Sequence, residues 1–151
     1  MKKFICILLS FMVILSLFGC SIFKREDTQG KEYYNNLKTF VAKYNTAMEN
    51  FNKELSKQSK NANKIADELI KESDNIINLK APKDYENIHK YYSDMATYSK
   101  QMGETYKKYV SEKNDLKKIN YMEDIKELSK KRDEVVTKLQ NLQKNITNED
   151  K

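Results

Sequence analysis

Apolar residues recur along most of this chain at the spacing of helix seams. From residue 34 one series reads Tyr34, Val41, Met48, Leu55, Ala62, Leu69, Ile76, and a second, three residues on, reads Leu37, Tyr44, Phe51, Gln58, Ile65, Glu72, Leu79. Twelve of these fourteen positions are apolar or aromatic, which lays a continuous stripe along a helix for a neighbour to cover. After Pro82 the phase shifts, and Tyr85, Tyr92, Ser99 and Tyr106 pair with Ile88, Met95, Met102 and Tyr109. Near residue 115 it shifts again, to Ile125, Arg132, Leu139 and Ile146 with Leu128, Val135 and Leu142. Each shift marks a new helix.

The boundaries have local causes. Proline disfavours helix in the residue before it, so Ala81-Pro82 closes the first arm. Pro82 itself suits the first turn of the next helix, where Asp84 and Glu86 complement the helix dipole. Asn114 or Asp115 offers an N-cap for the last helix. As one helix, residues 34–79 would reach about 70 Å, against about 40 Å for each later helix. Phe40, Val41, Tyr44, Met48 and Phe51 would then lie uncovered. Residues 56–61 (SKQSKN) hold no apolar side chain and are rich in turn formers. The pattern therefore predicts an all-α, antiparallel up-down four-helix bundle, folding back at residues 56–61 into helices of comparable length. The alternative is three helices with one long first helix, dimerising through its N-terminal half. Beyond Gly30 the only glycine is Gly103 and the only proline Pro82, which argues against a sheet.

The N-terminus has a different character. Lys2 and Lys3 precede an uncharged apolar run over residues 4–18, then Gly19 and Cys20, then Lys24-Arg25-Glu26-Asp27, the layout of a secretory signal. Leu17-Phe18-Gly19-Cys20 resembles the lipobox of bacterial lipoproteins, with Phe18 where that family usually has a smaller residue. The resemblance implies cleavage before Cys20 and a diacylglyceryl group on its sulfur. Residues 1–19 are then the signal peptide, 20–30 the lipidated cysteine and a tether ending in Gly30, 31–147 the bundle and 148–151 a polar tail. Two acyl chains are enough for stable attachment. Residues 4–23 are also long enough, at about 30 Å, for an uncleaved span, and cleavage elsewhere would release the body. With lipid or span, Lys2 and Lys3 hold the N-terminus inside and the body lies on the extracytoplasmic face of the cell membrane. The whole layout, with Leu79-Lys80-Ala81-Pro82 followed by His89, is similar to that of small helical lipoproteins of Gram-positive bacteria. That resemblance implies location and fold, and no particular activity.

Candidate chemistry is sparse. Cys6 leaves with the signal, so residues 20–151 keep no second thiol for a disulfide. His89 is the only histidine; no Gly-x-Ser-x-Gly elbow is present, and the few glycines cannot build a phosphate loop. Glu86 and His89 share a helical face, but a carboxylate-bridged di-iron bundle needs two such pairs, so no metal is expected. An enzyme is not expected either. Tyrosine is abundant, ten in all, and Tyr92, Tyr98 and Met102 could line a small-ligand cleft, although the same spacing is what core packing demands. The last helix carries Lys126, Lys130, Lys131, Arg132 and Lys138 after Lys117 and Lys118, interleaved with Glu123, Asp124, Glu127, Asp133 and Glu134. Such a face is salt-bridged to solvent or adheres to membrane phosphates or anionic wall polymer; export and neutralisation exclude nucleic acid. The formal charge is +6, two units of it from Lys2 and Lys3. The expectation is a non-enzymatic binding or scaffolding module for an envelope component, monomeric or weakly dimeric, with lipid on Cys20 as its only attached group.

Overall fold

The computed structural model describes residues 28–57 and 59–149, with side chains described to residue 142. Four α-helices follow in order: α1 (Thr28–Lys57), α2 (Ala62–Ile77), α3 (Glu86–Ser111) and α4 (Asp115–Glu149). A 3₁₀ turn, Lys83–Tyr85, leads into α3, and among the described residues there is no strand. Each helix packs on the one before it, α1 on α2, α2 on α3 and α3 on α4. The chain thus runs up, down, up and down, as the apolar phases predict.

The predicted seams are the core. Leu37, Val41, Tyr44, Met48 and Phe51 of α1 are buried with Ala62, Leu69 and Ile76 of α2. Tyr92, Met95, Met102 and Tyr106 of α3 join them, with Ile125, Val135, Val136 and Leu139 of α4. Removing each large apolar side chain from water contributes about 1.5–3 kcal/mol, which is what closes the bundle without a disulfide. The fold-back falls within residues 56–61. The Glu54 carboxylate, itself buried, accepts the backbone N–H and the hydroxyl of Ser59, which ties the end of α1 to the turn.

Three boundaries differ from expectation. The helices are not of comparable length: α2 has 16 residues where α1 has 30, α3 26 and α4 35. It stops at Ile77, well before Pro82, and Asn78 closes it by donating its N–H to Asp74 O. Residues 79–85 fill the layer that α2 does not reach. Pro82 is extended there, and Tyr85 swings its ring onto Tyr33 of α1 with 5.6 Å between centroids. Next, α1 begins at Thr28, so the last residues assigned to the tether are helical. Gly30 is buried because that same Tyr85 ring lies over it; a Cβ there would sit 2.7 Å from the Tyr85 hydroxyl. Last, α4 runs to Glu149, into the segment assigned to a polar tail.

Candidate functional site

Of the residues singled out by sequence, Cys20 lies outside the described residues. Tyr92 and Met102 are buried in the core, at 2% and 0% exposure, and Tyr98 is half-buried at its margin. These three fill space between helices. An open groove of about 330 Å³ lies instead at the bundle end that carries Thr28, lined by Gln29, Glu32, Tyr33, Asn36 and residues 79–82. It exists because the extended link crosses the first turns of α1 without the side chains of a full helix to close the gap.

Beside this groove sits His89. Its partner is Tyr33, not Glu86, which is exposed: the phenol oxygen is 3.0 Å from Nδ1 and the two rings meet edge-on at 5.7 Å. Burial lowers the histidine pKa from 6.5 and raises that of Tyr33, so both are neutral near pH 7. Which of the two atoms donates is set by the tautomer of the neutral ring. No acid or nucleophile follows from this pair, and among the described residues no group of three or more His, Cys, Asp or Glu side chains is gathered to hold a metal ion.

The most concentrated interior chemistry is one that sequence reasoning missed. Tyr44 of α1, Ser99 of α3 and Arg132 of α4 meet in the middle of the bundle, and all three are buried. The Tyr44 hydroxyl is 2.6 Å from Ser99 Oγ, and Ser99 in turn donates to Met95 O at 3.1 Å. The Arg132 guanidinium lies near enough to pull the Tyr44 pKa down, and it holds Asp133 Oδ1 through Nε at 3.0 Å and a terminal nitrogen at 2.6 Å. Tyrosine gives to serine, serine to a backbone carbonyl, and arginine to its neighbouring carboxylate. Burial still dominates and raises the Tyr44 pKa, against the lowering pull of Arg132 and Ser99. A chain in which every member is satisfied fixes how three helices sit against each other and offers nothing to an incoming ligand. The signal was present: Ser99 and Arg132 are the polar interruptions of their two seams.

Arg132 is therefore turned away from the basic face assigned to it. Lys126, Lys130, Lys131 and Lys138 remain outside, and Lys131 pairs with Glu127 at 2.6 Å. At the opposite bundle end Tyr106 donates to Glu54 O at 3.4 Å and stands edge-on to Phe51 at 5.3 Å; burial pushes its pKa up to about 12. Comparison of the chain with known protein families, with curated proteins and with solved structures finds no match in any of the three.

Proposed function

We propose that this chain is a lipoprotein of the cell envelope, held on the extracytoplasmic face of the membrane by acyl chains on Cys20, and that its helical body is a non-enzymatic binding or scaffolding module. The anchor reading rests on the basic start, the apolar run and Leu17-Phe18-Gly19-Cys20. Only seven residues lie between Cys20 and the first residue of α1, so the body follows its mooring closely. Among the described residues no helix is long and apolar enough to cross a membrane, and the hydrophobic run of the sequence lies ahead of them.

The module reading rests on one observation: the interior chemistry is used up by the fold. Tyr44, Ser99, Arg132 and Asp133 satisfy one another, and Tyr92 and Met102 are packing. What remains for recognition is the outer surface. Metabolic labelling with palmitate tests the anchor, comparing the wild type with Cys20→Ala. Labelled, membrane-associated wild type and an unlabelled variant of larger mass are expected, because the signal peptide stays on. Equal labelling of the variant would remove Cys20 from this role.

A further inference from the structure

The bundle end opposite Thr28 carries most of the charge imbalance of the molecule. Its two turns, residues 56–61 and 107–118, hold seven lysines against Glu112 and Asp115, a net of +5 in a chain whose total is +6. Contacts between Tyr106 and both Phe51 and Glu54 bring the turns side by side. Ion pairs quench little of this charge: Lys107 meets Asp67 at 2.6 Å, and Lys117 only approaches Glu112 at 4.0 Å. Lys57, Lys60 and Lys113 are exposed. In their midst, one turn apart on α4, Leu116 is 74% exposed and Ile119 55%. Asn114 fixes this projection by capping α4, its Oδ1 accepting the Lys117 N–H at 3.1 Å.

We propose that this end is a docking tip for an anionic lipid bilayer, with Leu116 and Ile119 entering the interface and the lysines meeting lipid phosphates. Charge and apolarity together select this occupant. A second copy would bring one +5 end against another. A soluble polyanion would neutralise the lysines and leave both aliphatic side chains in water. A shaped acidic protein would be read by cations gathered about one cleft, whereas these are divided over two turns. A bilayer supplies a phosphate plane above an apolar layer and asks for no matching shape. Reach is sufficient even for a tethered body. The 30 residues of α1 span about 45 Å, and the eight residue-to-residue steps from Cys20 to Thr28 extend at most about 29 Å, so the bundle can lie along the membrane that holds it.

The chain has no tryptophan, so Ile119→Trp supplies a single reporter, with Gln101→Trp on exposed mid-helix surface as control. The full protein, isolated from membranes, is reconstituted on phosphatidylcholine vesicles or on an equal mixture with phosphatidylglycerol. On the anionic vesicles alone, the tip reporter is expected to shift to the blue and to be quenched by lipids brominated in their acyl chains. The control should do neither. Reversing Lys113, Lys117 and Lys118 to glutamate should abolish the effect, at about fivefold in association for each lysine lost. A solvent-like reporter on anionic vesicles, or equal quenching on neutral ones, overturns the proposal. So does a response to soluble polyphosphate or to an acidic protein without one to vesicles. Flotation with neutral vesicles reads the Cys20 anchor alone, so the two assignments fail separately.

Discussion

Two buried hydroxyls give this molecule its most specific residue-level commitments. Tyr44→Phe keeps the ring and deletes the oxygen that donates to Ser99 and lies near the Arg132 charge. Leaving the buried Ser99 hydroxyl short of a partner costs about 1–3 kcal/mol, readable as a lower urea midpoint with an unchanged slope. Replacing the set together, as Tyr44→Phe with Ser99→Ala and Arg132→Met, should cost less than the sum of the single changes, because no polar group is then stranded. A sum equal to the combined effect would mean that the three do not act as a unit. Tyr33 and His89 make a prediction in pH. The folded state lowers the histidine pKa by burial, which disfavours the charged ring beside Tyr33. Below 6.5 the unfolded chain takes up a proton more readily than the folded one. Stability is thus whole above that pH and declines as pH falls through it. Denaturant midpoints measured between pH 7.5 and about 5 should fall for the wild type and stay level for His89→Gln in that respect. Parallel curves for the two proteins would refute the role given to this pair.

Helix α3 lies tight against α2 at Gly103, and the cause is geometric. A Cβ at that position would lie 2.9 Å from Ile70 Cγ1 and 3.2 Å from the Ala66 carbonyl oxygen, and a backbone atom cannot step aside. Gly103→Ala gains about 1 kcal/mol of helix propensity and meets an overpacking penalty of about 1–3 kcal/mol. The expected outcome is a net loss of thermal stability, with Gln101→Ala on the exposed side of the same helix as the neutral comparison. A more stable Gly103→Ala protein would show that the crossing has room. The number, order and inward faces of the helices were legible because period and burial express the same preference: Tyr85, Tyr92, Ser99 and Tyr106 stand at seven-residue intervals, and all four are buried. The fold-back was legible from an absence of apolar residues at 56–61, and the α4 cap from Asn114. The short α2 was not. Its end is set by Tyr85 finding Gly30 and Tyr33, a contact across more than fifty residues that no local pattern encodes. The same limit hid the Tyr44, Ser99 and Arg132 cluster. A polar residue in a seam says that something must satisfy it, but only the relative heights of three helices say what does.

The four helices do not share the core equally, and this sets how the whole molecule should open. The central helix is α3: it packs on α2 and α4, and reaches α1 through Tyr44 with Ser99 and Phe51 with Tyr106. By contrast α4 packs chiefly on α3, and its described side chains bury Ile125, Arg132, Val135, Val136 and Leu139 over a length greater than that of any other helix. Its first turns lie bare, with Leu116 and Ile119 in solvent, and the ion pairs of Lys131 with Glu127 and Arg132 with Asp133 lie within the helix itself. Local ion pairs survive when a helix lifts off and so contribute nothing to holding it down, and exposed pairs are worth little in any case. Among its described side chains, α4 is held by its buried aliphatic residues, by half-buried Met122 and Leu128, and by the buried Arg132 near Tyr44. Free energies of local opening scale with such buried contacts, so α4 should detach before the three remaining helices unfold. Hydrogen exchange followed peptide by peptide would show it: amides of α4 exchanging through a smaller opening free energy than those of α1 and α3, with Arg132→Met altering α4 protection most. Uniform protection across all four helices would mean that the bundle opens as one unit, and that α4 draws on contacts stronger than its buried side chains account for.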